Sequence, residues 1–223
     1  MTGSGPKPRV AAIVPAYDDA TRVAATVAAL RPLVDEVIVV DDGSTDGTAT
    51  EAERAGARVM RLPANRGKAA ALETGIDATD APILLFADAD LATSAANLHV
   101  LIDSVTNGDV DVAIAAPPRG GPSGFGLVES LARAGIARAT GRRLERPLSG
   151  QRAVRRKVLS DTRPFAARFG VETAFTVDAL RAGYRVVEVP CEITHARTGR
   201  DPAGFLHRAR QGWDVVRALA RRR

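Results

Sequence analysis

The sequence predicts an α/β protein, a single domain built on a mostly parallel sheet with helices packed on its faces. Three observations carry that expectation. Short β-branched or apolar runs alternate along the chain with amphipathic, Ala-rich stretches, the pattern of parallel strands joined by crossover helices. Every apolar run is strand-sized, far short of the ~18–20 residues that span a bilayer. Three of the first four runs end in acidic segments, beyond the carboxyl ends of strands, where open parallel sheets hold their ligands.

Val10–Val14 reads as a buried strand ended by Pro15, and Asp19–Leu30 as a helix through the spacing of Val23, Val27 and Leu30. Val37–Val40 is a second strand and Asp46–Ala55 a helix closed by Gly56. Arg58–Leu62, Ile83–Ala87 and Val110–Ala116 are further strands, separated by helices over Gly67–Ala78 and Ser94–Val105. Beyond them the rhythm weakens. Pro117–Gly126 is a Pro/Gly loop, Leu127–Ala139 a helix and Thr140–Pro147 a basic connector. Val171–Ala182 is a helix stopped by Gly183, and Arg185–Val189 a strand. Phe205–Arg222 is a last helix, with Leu206, Trp213, Val216 and Leu219 roughly on one side.

Composition narrows the function. The 223 residues suffice for one sizeable core. A single cysteine, Cys191, rules out an internal disulfide framework and any multi-cysteine metal site. The polar segment Met1–Arg9 carries no hydrophobic signal region, which predicts a flexible N-terminus and a cytoplasmic protein. The net charge of +5 is concentrated in 197–223, where eight arginines face only Asp201 and Asp214. That helix suits two arrangements, resting peripherally on an anionic leaflet or packing its stripe on the core with its arginines in water. Aromatic residues are only 4% of the chain, which argues against a stacking platform for nucleic acid.

The acidic strand ends carry the chemistry. Asp88 and Asp90 follow the apolar run Ile83-Leu84-Leu85-Phe86, and their hard oxygens suit Mg²⁺ or Mn²⁺, which bind few protein ligands beside substrate phosphates. The segment from Asp42 through Ser44, Asp46-Gly47 and Glu53 also has the spacing of a calcium loop. That reading is opposed by its setting, because a β-branched run precedes it where an EF-hand needs a helix. An acidic pair, Asp41 and Asp42, that addresses the donors of a nucleoside is the better fit.

Taken together, Pro15-Ala16-Tyr17-Asp18-Asp19, Val39-Val40-Asp41-Asp42-Gly43-Ser44-Thr45-Asp46, Asn65-Arg66-Gly67-Lys68 and Ala87-Asp88-Ala89-Asp90 resemble the signature of the family 2 glycosyltransferases of GT-A fold. The resemblance implies a Rossmann-like, mostly parallel sheet. It also implies roles by position. Pro15, Ala16, Tyr17 and Asp19 line the base and ribose pocket, although the family has Asn-Glu where this chain has Asp18-Asp19. Asp42 reads the base edge with Asp41 beside it, and Lys68, with Arg66, lies near the donor. Asp88 faces the ribose or the metal, and Asp90 holds the metal on the diphosphate. Residues 10–200 form the transferase domain, 10–116 its nucleotide-sugar half and 117–200 its acceptor half, with 201–223 a basic C-terminal helix.

In the acceptor half, His195 resembles the third metal contact of many GT-A enzymes, and Arg197 and Arg200 are bidentate donors for the leaving diphosphate. The segment Ser149-Gly150-Gln151-Arg152 resembles the Ser-Gly-Phe-Arg stretch of polyprenyl-phosphate sugar transferases, with Gln151 in place of Phe; Gln151 and Arg152 are the acceptor-side candidates. Gly170-Val171-Glu172 resembles a helix-opening segment of those enzymes and of glucosyl-phosphoglycerate synthases. Glu172 is either an acceptor-facing carboxylate or a residue that favours the helix dipole. Asp90 and Glu172 are thus the candidate catalytic carboxylates. The expected activity is metal-dependent transfer of a sugar from a nucleotide diphosphate, UDP first and GDP second, to polyprenyl phosphate or a small phosphorylated or hydroxylated metabolite. A sugar nucleotidyltransferase would want a Gly-rich, basic loop after the first strand, and 15–20 has neither. A non-catalytic nucleotide-sugar-binding protein would have no need of Asp88, Asp90 and His195.

Overall fold

In the computed structural model, the structure describes residues 7–117, 126–165 and 171–194. Seven strands form one sheet: β1 (Val10–Ala16), β2 (Glu36–Asp41), β3 (Arg58–Arg61), β4 (Ile83–Phe86), β5 (Val112–Ala116), β6 (Arg152–Arg155) and β7 (Val186–Pro190). Their order is β3-β2-β1-β4-β6-β5-β7. β1 is an interior strand, parallel to both neighbours, Ile13 pairing with Ile38 on one side and Phe86 on the other. Residues 10–116 and the later chain therefore share one sheet.

Helices cover both faces because the strands are apolar on both. Ala12, Val14, Val37, Val39 and Leu85 point to one layer, where α1 (Val23–Leu30), α2 (Thr48–Arg54) and α4 (His99–Asn107) pack. Ala11, Ile13, Ile38, Val40, Leu84 and Phe86 point to the other. There they meet α3 (Lys68–Asp77), α5 (Gly126–Thr140), the four-residue α6 (Leu159–Thr162) and α7 (Val171–Arg181). Helix α3 lies so close to the sheet that a β-carbon on Gly75 would stand 2.4 Å from Ile13 Cγ2.

Several elements depart from the sequence expectation, among them the short α6 and the 3-10 turn Arg156–Val158 before it, which have no counterpart there. The strand β6 was not anticipated, and it runs antiparallel to β4 and β5, so the alternation of strand and helix breaks there. Only Ala153 and Val154 are apolar in it, and Arg155 is bound inward by the carbonyls of Val105, Gly108 and Val110. Helix α1 starts at Val23, not Asp19, because Asp18 takes a left-handed φ of 53° and the Asp19 carbonyl accepts the N–H groups of Arg22 and Val23. The helix expected over Ser94–Val105 is a 3-10 turn, Ala92–Leu98, that continues as α4. The basic helix read over 201–223 lies outside the described residues. No helix among the described residues is long and apolar enough to cross a membrane.

Candidate functional site

Because β1, β2 and β4 are parallel, their carboxyl ends and the segments that follow share one edge of the sheet. The first two segments are stapled together. The Asp18 N–H donates to Ser44 Oγ at 3.0 Å, and its carboxylate accepts the Thr45 N–H at 2.9 Å. The Asp19 N–H donates to Thr48 Oγ1 at 2.8 Å, and Ala20 N–H to Asp46 at 3.2 Å. Asp46 also accepts both the N–H and the hydroxyl of Thr48, and that hydroxyl holds its carboxyl below the usual range. Asp46 thus organises a strand-to-helix turn, which leaves the calcium-loop reading without its helix–loop–helix frame. Between these staples Tyr17 is 45% exposed, a large ring left open beside a buried strand. Pro15 is half-buried and Ala16 buried.

Asp41 and Asp42 are both buried, and each carboxylate serves the backbone. Asp41 Oδ1 accepts the Ser44 N–H at 2.9 Å. The two oxygens of Asp42 accept the N–H groups of Arg66 and Gly67 at 2.8 and 2.7 Å, tying the segment before α3 to the tip of β2. Gly43 makes this closure possible. Its φ is +78°, and a β-carbon there would lie 2.6 Å from the Ala64 carbonyl carbon. Gly43→Ala is therefore expected to cost about 3 kcal/mol in a denaturant titration, through backbone strain and overpacking. A loss under about 0.5 kcal/mol would show that the Asp42 clamp is not built on this approach.

The fourth strand end meets the second half of the chain. Lys68 opens α3, and its ammonium lies 2.8 Å from Asp88 Oδ1 and 3.0 Å from Glu172 Oε1, on the first turn of α7. The other Asp88 oxygen accepts from Gln151 Nε2 at 2.6 Å, and Ser149 Oγ donates to Gln151 Oε1 at 3.2 Å. Burial works against the charge on Lys68, but the two carboxylates outweigh it and raise its pKa. Gly150 is the floor of this cluster, since a β-carbon on it would come within 2.5 Å of Lys68 Nζ.

Asp90 lies half-buried two residues further on, near the guanidinium of Arg22. Arg22 donates to Asp19 at 2.7 Å, and that hydrogen bond raises its pKa, with a smaller contribution from Asp90.

The structure thus brings together Lys68, Asp88, Gln151 and Glu172, with Asp90 two residues beyond Asp88 in the chain. Asp41 and Asp42, read as facing the nucleoside, are instead buried on backbone N–H groups, and Arg152 also turns away from the cluster. Arg152 was expected to face an acceptor, yet only 2% of it is exposed. Its donors go to the carbonyls of Ser149 and Pro147 and to Thr176, and its guanidinium sits over Phe175. Burial pulls its pKa down to about 10, so it stays charged at neutral pH. It shapes the loop that carries Gln151. Gln151, also read as acceptor-side, contacts Asp88. Gly150 stands in the Ser149-Gly150-Gln151-Arg152 segment, but its close approach to Lys68 is visible only in the fold, because a glycine carries no signal apart from the side chains packed on it. His195, Arg197 and Arg200 lie outside the described residues, as does Gly170. Among the described residues no group of three His, Cys, Asp or Glu side chains is set to hold a metal ion.

The chain is similar to known sugar-transferring proteins. Glucosyl-3-phosphoglycerate synthase of Mycolicibacterium paratuberculosis is 30% identical over 197 residues, covering 76% of this chain and 59% of that protein. The chain thus spans about three-fifths of the length of that relative. Crystal structures of the Mycobacterium tuberculosis glucosyl-3-phosphoglycerate synthase share the fold. The complex with Mg²⁺ and UDP has a TM-score of 0.81 at 27% identity, over 96% of this chain and 79% of that one. The complex with Mn²⁺, UDP and phosphoglyceric acid has a TM-score of 0.80 at 28% identity, over 96% and 78%. The sequence model of glycosyl transferase family 2 matches residues 11–165. With more than half of its length inside that model, the chain belongs to glycosyl transferase family 2.

Proposed function

We propose that this protein transfers a sugar from a UDP-sugar, with Mg²⁺ or Mn²⁺, to a small phosphorylated acceptor of the phosphoglycerate type. The observation that carries this reading is the meeting of Lys68, Asp88, Gln151 and Glu172 at the carboxyl edge of a sheet shared with a synthase crystallised with UDP, Mn²⁺ and phosphoglyceric acid.

The donor set fits a hard divalent cation. Asp88 and Asp90, two residues apart beyond β4, offer hard carboxylate oxygens of the kind such a cation takes. His195 is the proposed third protein contact. When bound, the cation neutralises charge that develops on the departing diphosphate. The chain's own groups do the rest. Tyr17, with Pro15, Ala16 and Asp19, faces the nucleoside, and the Asp42 clamp fixes the segment that presents Lys68. Lys68 supplies a fixed positive charge beside the donor, and Arg197 and Arg200 are proposed to add to it. Glu172 is placed by Lys68 to accept hydrogen bonds from the hydroxyls of donor or acceptor. Gln151 steers Asp88.

The test is incubation of the full chain with UDP-glucose, Mn²⁺ and 3-phosphoglycerate. Expected are UDP release and a glucosylated phosphoglycerate by mass spectrometry, with GDP-glucose at least about tenfold slower. Transfer to polyprenyl phosphate instead would reassign the acceptor and leave the donor. Absence of UDP release with every acceptor, together with no thermal shift by UDP and Mn²⁺, would defeat the donor assignment.

A further inference from the structure

Asp90 depends on a turn that its own sequence does not favour. Ala92 takes a φ of +48°, in the left-handed region where a β-carbon costs about 1–2 kcal/mol. Such a residue keeps its conformation only if the surroundings hold it there. What holds it comes from another element. Thr26, on α1, is fully buried. Its hydroxyl donates to the Ala89 carbonyl at 2.7 Å and accepts the Ala92 N–H at 2.8 Å. The two bonds bracket Asp90, one on each side of it in the chain.

A helical threonine ordinarily gives its hydroxyl proton to the carbonyl four residues back. Here that partner, the Arg22 carbonyl, stands off at 3.4 Å, so the proton belongs to Ala89. Leu91, 1% exposed, anchors the same turn from within, but an apolar anchor sets depth rather than rotation. The hydrogen bonds of Thr26 hold the Ala89–Asp90 peptide directly and the Leu91–Ala92 peptide one residue further on, and so constrain the stretch of backbone that carries the Asp90 side chain.

We propose that Thr26 is a positioning residue for the metal-binding carboxylate, tuning cation affinity without touching cation or substrate. The proposal rests on the reading of Asp90 as a metal ligand. Outer partners of metal ligands typically govern affinity by about 10- to 100-fold. Thr26→Val removes the hydroxyl at nearly constant volume, Thr26→Ala removes it without the valine's second methyl, and Thr26→Ser restores it.

The experiment titrates Mn²⁺ into the UDP-saturated full chain, followed by the paramagnetic signal of free Mn²⁺, with melting temperatures recorded beside it. Thr26→Val is expected to weaken Mn²⁺ binding about tenfold or more, and Thr26→Ser to return it to within about threefold of wild type. If the valine variant does not fold, alanine against serine decides by the same criterion. Val105→Ala, on the last turn of α4, is the control for stability alone and is expected to melt lower with unchanged Mn²⁺ affinity. A hydroxyl-less variant that melts lower yet binds Mn²⁺ as tightly as wild type would overturn the positioning role and leave the proposed activity standing. Wild-type protein that binds no Mn²⁺ in the presence of UDP would overturn both.

Discussion

Asp90→Ala is expected to lower metal-stimulated turnover of a UDP-sugar by at least about a thousandfold while the melting temperature stays within about 3 °C of wild type. The two halves of that expectation have separate causes. Asp90 lies on a turn held by the hydroxyl of Thr26 and by buried Leu91, neither of which involves its carboxylate. Removing the side chain therefore leaves the backbone supported. The carboxylate's proposed task is charge, since a departing nucleoside diphosphate builds negative charge that a misplaced cation cannot offset. Each factor of ten lost is about 1.4 kcal/mol of transition-state stabilisation, so a thousandfold loss asks about 4 kcal/mol of one ligand. The measurement is the initial rate of UDP release over a range of Mn²⁺ concentrations. Wild-type rates in the variant, or a wild-type enzyme equally fast in chelator, would remove Asp90 from the chemistry.

How much was readable beforehand follows from where each signal resides. Strands β1, β2 and β4 are buried on both faces, so each is a continuous apolar run in sequence, and its acidic ending stands out by contrast. Asp88, Asp90, Lys68 and Glu172 could be named for that reason or through the family resemblance. Their assembly could not. Gln151 reaches Asp88 from the position just before a strand whose four residues are Arg-Ala-Val-Arg, apolar only at two, and whose burial comes from pairing with β4 and β5. Nothing local marks such a strand. Arg152 misled because a buried guanidinium with every nitrogen bonded to protein looks, in sequence, like any arginine beside a site. Thr26 was read only as one more residue in a helix. Its partners are more than sixty positions away, and its hydroxyl says nothing about them until the fold is known.

Lys68→Met is expected to cost about 2 kcal/mol of stability and to lower kcat/KM about a hundredfold. The ammonium touches Asp88 and Glu172 at once, and all three side chains are less than a third exposed. Its loss leaves two carboxylates facing one another with the intervening cation gone. The cost falls between that of an exposed pair, under about 1 kcal/mol, and a fully buried one, about 3–5 kcal/mol. The pH dependence has a definite sign. Because the folded protein raises the Lys68 pKa above its ordinary 10.5, the stabilisation is complete at neutral pH and is lost only as alkali deprotonates the amine. The gap between wild type and variant should therefore be full at pH 7 and narrow only in alkali, above the ordinary lysine value of 10.5. Lys68→Arg is not expected to rescue activity. The space over Gly150 is so tight that a single β-carbon there would meet the amine at 2.5 Å, and a planar guanidinium is larger than an ammonium. Urea midpoints at pH 7 and in alkali above about pH 10.5, with steady-state rates for both variants at neutral pH, check these expectations. A methionine variant as stable as wild type at pH 7 would mean that Lys68 does not hold the two halves of the site together.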